Sequence, residues 1–159
     1  MDYNHQNNLK ILNDPVYGFI SLPHKILLDI IDHPYFQRLR RIKQLGLSHL
    51  VYPGALHTRF NHAIGCVYLM SQAIATLRFL GHEISKEESK GVTLAILLHD
   101  IGHGPFSHTL EHSIVSGIRH EDVSVLFMKE LNKEFKGALD LAIEIFLDRY
   151  PKRFLHQLV

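Results

Sequence analysis

The sequence predicts an all-α domain with a small N-terminal β-hairpin, and three observations predict it. From Pro23 onward the apolar residues recur at helical spacing, beginning with Ile26, Leu27, Ile30 and Ile31. Two long apolar segments, residues 63–80 and 92–98, read as buried helices. β-type runs are confined to two short stretches before residue 23. At 159 residues and 46% apolar, the chain is sized for one domain with a substantial core.

The elements follow in order. Lys10-Ile11-Leu12 and Gly18-Phe19-Ile20-Ser21-Leu22 are the hairpin strands, with Asn13-Asp14-Pro15 as the turn signal between them. A first helix ends at His33-Pro34, because the residue before proline is pushed out of the helical region. Residues 35–45 read as a second helix. Phe36, Leu39 and Ile42 point inward there, while Gln37, Arg38, Arg40, Arg41 and Lys43 form a solvated basic flank. Pro53-Gly54 marks a turn in the connector that follows. A long helix then runs to about Leu80, where Gly81 suits the residue just past a helix end. Ser85-Lys86-Glu87-Glu88 is a capping box for the helix that delivers His99-Asp100 at its C-terminal end. A short helix is expected around residues 107–115, another from His120 to about Leu131, a buried one over 137–147 and a last one from Phe154.

Composition narrows the function classes. A net charge of +1 gives no strong attraction to nucleic acid or to a membrane surface. The single cysteine, Cys66, rules out an internal disulfide and suits a reducing compartment. The polar start has no signal-peptide character, and residues 63–80 carry Ser71, Gln72, Thr76 and Arg78, so a buried helix is preferred to a membrane span. A cytoplasmic location is expected. The compositional oddity is the 13 histidines.

The chemistry concentrates at the end of the 92–98 run. A carboxylate buried at the end of an apolar helix costs several kcal/mol unless a charge or metal partners it. His99 beside Asp100 makes a divalent metal the preferred partner, with His62 as the third candidate ligand. Nitrogen and oxygen donors of this kind suit an open site for Mn, Fe, Mg or Zn. Antiparallel packing of the two buried helices is taken to separate His62 from His99-Asp100, so the two helices are expected to cross, or to run so that the start of one meets the end of the other. His103, His108, Glu111 and His120 form a second layer of acids, bases and donors. Arg59, three residues before His62, is suited to hold phosphate oxygens in a fork.

These motifs together resemble the HD-domain metal-dependent phosphohydrolases, and more closely their deoxynucleoside triphosphate triphosphohydrolase (dGTPase-like) branch. The resemblance rests on His62, the run His99-Asp100-Ile101-Gly102-His103-Gly104-Pro105-Phe106-Ser107-His108, and His120-Glu121. It also rests on Asn13-Asp14-Pro15-Val16-Tyr17-Gly18, on Phe36-Gln37-Arg38-Leu39-Arg40-Arg41-Ile42-Lys43-Gln44-Leu45, on Tyr52-Pro53-Gly54-Ala55 and on Arg59-Phe60-Asn61-His62. It implies an HD helical bundle that hydrolyses dNTPs to deoxynucleoside and inorganic triphosphate. It further implies His62, His99 and Asp100 as metal ligands, and His103, Glu111 and His120 as catalytic or nucleophile-orienting groups. His108 would contact the α-phosphate, Arg59 would hold phosphate and Gln44 would meet the sugar or base. Asp32, Gln37 and Arg40 match positions that bind an activating nucleotide in regulated members. The last family ligand is an Asp that follows a segment resembling residues 154–159, and Asp140 and Asp148 do not match it. Residues 1–159 are therefore expected to be the N-terminal portion of a single HD domain, weak or inactive alone, and prone to self-association. The alternatives are an HD-type nucleotide phosphatase or phosphodiesterase, and a catalytically incomplete nucleotide-binding or oligomerisation module.

Overall fold

A computed structural model describes residues 11–106 and 119–159. The hairpin forms as expected. Strand β1 (Ile11–Asp14) pairs antiparallel with β2 (Gly18–Ser21), Leu12 opposite Ile20. The Asp14 carboxylate accepts from the Val16 and Tyr17 amides, which closes the turn, and Gly18 takes a positive φ of 72°. Ile20 and Leu22 point into the core, while Phe19 is 78% exposed.

Helix α1 (Lys25–Ile31) buries Leu27, Ile30 and Ile31. His33 then caps α2 (Pro34–Gln37), its Nδ1 accepting from the Tyr35 amide. The expected helix over residues 35–45 is cut short. A 3-10 turn at Arg38–Arg41 follows α2, and Ile42 is already extended. The competing interaction is a short backbone pairing: the Ile42 carbonyl accepts from the Arg59 amide and the Gln44 amide donates to His57. A helix through Leu45 would forfeit those bonds. The basic flank departs from expectation at Arg38, which turns inward to backbone carbonyls; Arg40 and Arg41 stay exposed, Arg40 lying 3.5 Å from the centre of the Phe60 ring.

The site is carried by α3 (Arg59–Phe79) and α4 (Lys86–Leu98). Both begin with capping boxes, Thr58 with Asn61 and Ser85 with Glu88, so their first residues are fixed by side chains. Six residues join them, with Gly81 at φ 90° and Arg78 donating to the Ile84 and Ser85 carbonyls. The two helices form an antiparallel hairpin. The start of α3 meets the end of α4, one of the two expected arrangements, and antiparallel packing is what produces it rather than what prevents it: the start of one antiparallel helix lies beside the end of the next, so His62 and His99 share a pole.

Helix α5 (His120–Glu134) covers the end of α4, and α6 (Asp140–Phe146) packs along α4's flank. At Gly91 a Cβ would come within 2.8 Å of Leu141 Cγ, so the close approach of α4 and α6 depends on this glycine. The last segment is a 3-10 turn (Arg153–Leu158) with Leu155 buried. α4 is the core helix: Val92, Leu94, Ala95, Leu97 and Leu98 have no exposed surface. Among the described residues no helix is long and apolar enough to cross a membrane.

Candidate metal centre and active site

Thr58 sets the start of α3, which places Arg59 in its first turn and His62 one position beyond. His99 caps the other end of the hairpin, on α4. The two imidazoles meet with Nε2 atoms 3.2 Å apart. His99 Nδ1 lies 2.6 Å from the Ile96 carbonyl. A carbonyl only accepts, so Nδ1 carries the proton and Nε2 presents its lone pair. Burial, then the neighbouring His99, lowers the His62 pKa and favours its neutral, ligating form.

Asp100 completes the group. Its Oδ2 lies 3.7 Å from His62 Nε2 and its Oδ1 3.4 Å from His99 Nε2. Arg59 donates to Oδ2 at 2.6 Å, and both residues are buried. His103 Nε2 is 3.2 Å from Oδ1. Burial alone would push the Asp100 carboxyl upward. The His103 hydrogen bond and the charges of His99, His103 and Arg59 outweigh it and hold the group well below the usual carboxylate range.

The donor set fits a divalent ion. Two nitrogens about 2.1 Å from one ion at 90–110° are separated by about 3.0–3.4 Å, which brackets the observed 3.2 Å. Cys66, one turn after His62, also offers a ligand atom, and one atom each from His62, Cys66 and His99 all lie within 4.8 Å. Burial, then Asp100, pushes its thiol up to about 11. The ionised Asp100 is therefore the readier third ligand. Cys66 is not among the ligand candidates the sequence suggests; its spacing of four from His62 was the available signal.

The loop after Asp100 carries His103. Gly102 donates to Ser124 Oγ at 2.9 Å, and Ser124 Oγ donates to the His99 carbonyl at 2.9 Å. A Cβ at Gly102 would collide with the His120 carbonyl and the Ser124 amide. This contact brings α5 against the loop, and the His103 and His120 rings stack with centroids 3.9 Å apart. Burial, the leading influence on His103, lowers its pKa despite the Asp100 hydrogen bond. Ser124 was missed in the sequence, where one buried serine on an otherwise ordinary helix carries no signature.

Other predicted residues fall as follows. Gln44 lies on the segment paired with 57–58, and its buried Oε1 has no hydrogen-bond partner among the described residues. Gln37 accepts from Arg40 Nε at 2.8 Å and donates to the Ile31 carbonyl next to Asp32, so these three share one corner. His108 and Glu111 lie outside the described residues, as does the helix expected at 107–115. A cavity of about 490 Å³ opens beside His99 and Asp100, lined also by His120, Asp148, His156 and Val159. Asp148 reaches this cavity, but Arg153 engages its carboxylate.

The HD domain family matches residues 59–152, which contain His62, His99 and Asp100. The chain belongs to the HD domain family. Within that family, the deoxynucleoside triphosphate triphosphohydrolase SAMHD1 of Danio rerio is 47% identical over 116 residues, covering 72% of this chain and 18% of that protein. The human protein of the same name is 42% identical over 135 residues, covering 80% of this chain and 21% of its own length. A phosphohydrolase structure from Bacteroides thetaiotaomicron superposes with a TM-score of 0.91 at 60% identity, over 95% of this chain and 38% of that one. The HD chain described here thus spans about a fifth of those curated relatives.

Proposed function

We propose that this HD domain hydrolyses deoxynucleoside triphosphates, releasing deoxynucleoside and inorganic triphosphate. The observation that carries the reading is the convergence of His62, His99 and Asp100 with the buried Arg59 at one pole of the α3–α4 hairpin. Identity to triphosphohydrolases named for that substrate supports it.

In this reading His62, His99 and Asp100 hold a divalent ion (Mn, Fe, Mg or Zn), which supplies Lewis-acid activation of the phosphoryl group. Arg59 contributes a planar fork of donors for phosphate oxygens. His103 and His120, whose rings stack, are the proton carriers, and the family resemblance adds Glu111 to that role and His108 to binding the α-phosphate. Water oxygen bonds to the α-phosphorus, the bond from phosphorus to the 5′ oxygen breaks, and that oxygen takes a proton as the nucleoside leaves. Gln44 faces sugar or base; its buried Oε1, without a partner among the described residues, supports a role toward a ligand. Asp32, Gln37 and Arg40 form a corner suited to an activating nucleotide. A cytoplasmic location and a homo-oligomer belong to the same reading. The exposed Val16 and Phe19 of the hairpin support self-association.

The test incubates the full-length protein with each dNTP and Mn²⁺. Deoxynucleoside and inorganic triphosphate are the expected products. Orthophosphate or a nucleoside monophosphate would place the domain among the phosphatases or phosphodiesterases instead. Nucleotide binding without any turnover would favour a catalytically incomplete binding module.

A further inference from the structure

Arg38 lies 63 residues before the loop it touches. Its Nη1 donates to the His103 carbonyl at 2.7 Å, and its Nη2 donates to the Ile101 carbonyl. Those two carbonyls flank Gly102, the residue pressed against α5. The same guanidinium lies 4.8 Å from the centre of the Phe127 ring, two turns along α5 from His120. One side chain therefore joins three parts: the 3-10 turn at 38–41, the loop after Asp100, and the helix that brings His120 to His103.

The geometry suits arginine specifically. Two carbonyls separated by one residue are met by two nitrogens of a single rigid plane, and the face of that plane remains for an aromatic ring. A lysine ammonium offers a point charge and no such face. Arg38 makes no contact with the Asp100 carboxylate among the described residues, so its effect on the site is indirect.

We infer that Arg38 is a positioning residue that clamps the Ile101–His103 backbone and so holds His103 against Asp100 and His120. The inference rests on the hydrolytic reading for its consequence in turnover, and on the contacts alone for its consequence in loop order. The His103 ring depends on its backbone being fixed on both sides of Gly102. Without the clamp the two carbonyls lose their charged donor, and the loop gains freedom near the reacting group.

The experiment compares the full-length protein with Arg38→Lys and Arg38→Ala. Thermal midpoint, hydrogen exchange of the 99–106 peptide, and dNTP hydrolysis resolved into kcat and KM are measured for each. Both variants are expected to exchange faster in 99–106 than elsewhere. Their kcat should fall roughly 100-fold, the scale of an ångström-sized misplacement, with KM little changed. Arg38→Lys should melt close to the parent yet fail to restore kcat; it carries the test if Arg38→Ala does not fold. Exchange in 99–106 that is unchanged, or accelerated equally across the chain, overturns the clamp. A parent protein that hydrolyses no dNTP removes the substrate reading, and the exchange measurement still decides the role of Arg38.

Discussion

Asp100 has Arg59, His62, His99 and His103 as its basic neighbours within 4 Å. A buried carboxylate with one partner would be a weak structural choice, since desolvation offsets most of the attraction. With several donors aimed at both oxygens, the ionised form wins. Metal binding should then stabilise the fold by mass action, by about 2.7 kcal/mol at one hundred times Kd. Thermal melts with and without Mn²⁺ are expected to show that rise, and His99→Ala should abolish it. Ser124 works at the same scale. It is fully buried, with its hydroxyl between the Gly102 amide and the His99 carbonyl. Ser124→Ala leaves both without their partner and should cost about 1–3 kcal/mol in denaturant unfolding. The cluster of His62, His99 and Asp100 was legible in the sequence because His and Asp at a helix end carry a chemical signature. Ser124 and Arg38 were not, because their roles lie in backbone groups distant in sequence.

At the level of elements, capping chemistry and apolar period located α3, α4 and α5 well, since those signals are local. The failures were tertiary. The stretch 35–45 has helical spacing, yet a backbone pairing with 57–59 stops it at Arg41. The hairpin orientation of α3 and α4 follows from their six-residue connection, a stronger argument than the one that separated their ends. Gly91 shows how elements set one another's distance. Gly91→Ala would gain about 1 kcal/mol of helix propensity. It would also force the α4–α6 contact apart, at about 1–3 kcal/mol. Gly91→Val adds a larger clash and loses most of the propensity gain, so it should lower the melting temperature clearly in calorimetry.

Across the whole molecule, Glu88 ties the start of α4 to the end of the chain. It accepts from the Ser85 amide, Tyr150 Oη at 2.8 Å and Lys152 Nζ at 3.0 Å. Burial pushes its carboxyl up, but these bonds prevail and hold it down at about 2, from an ordinary 4.5. A depressed carboxyl pKa contributes stability that is complete above its unfolded value and is lost as pH falls through the folded one. Urea unfolding is therefore expected to weaken between about pH 5 and pH 2. Glu88→Gln should flatten that slope, with the two proteins converging in stability at the acid end.

The hairpin that unites His62 and His99 also has a temporal meaning. Its ends are joined by a tight six-residue connection, so its contacts close in sequence and need little loop entropy. The segment from Arg59 to Asp100 is expected to gain its native order first, with α5 and α6 docking onto it afterwards. Kinetic analysis should then find transition-state contacts well formed for Val67→Ala and Leu94→Ala, and weakly formed for Leu155→Ala. Equal values along the chain would rule out that order. If it holds, the two imidazoles face each other before the cavity beside them has walls, and an ion can be captured while the far half of the fold is still arriving.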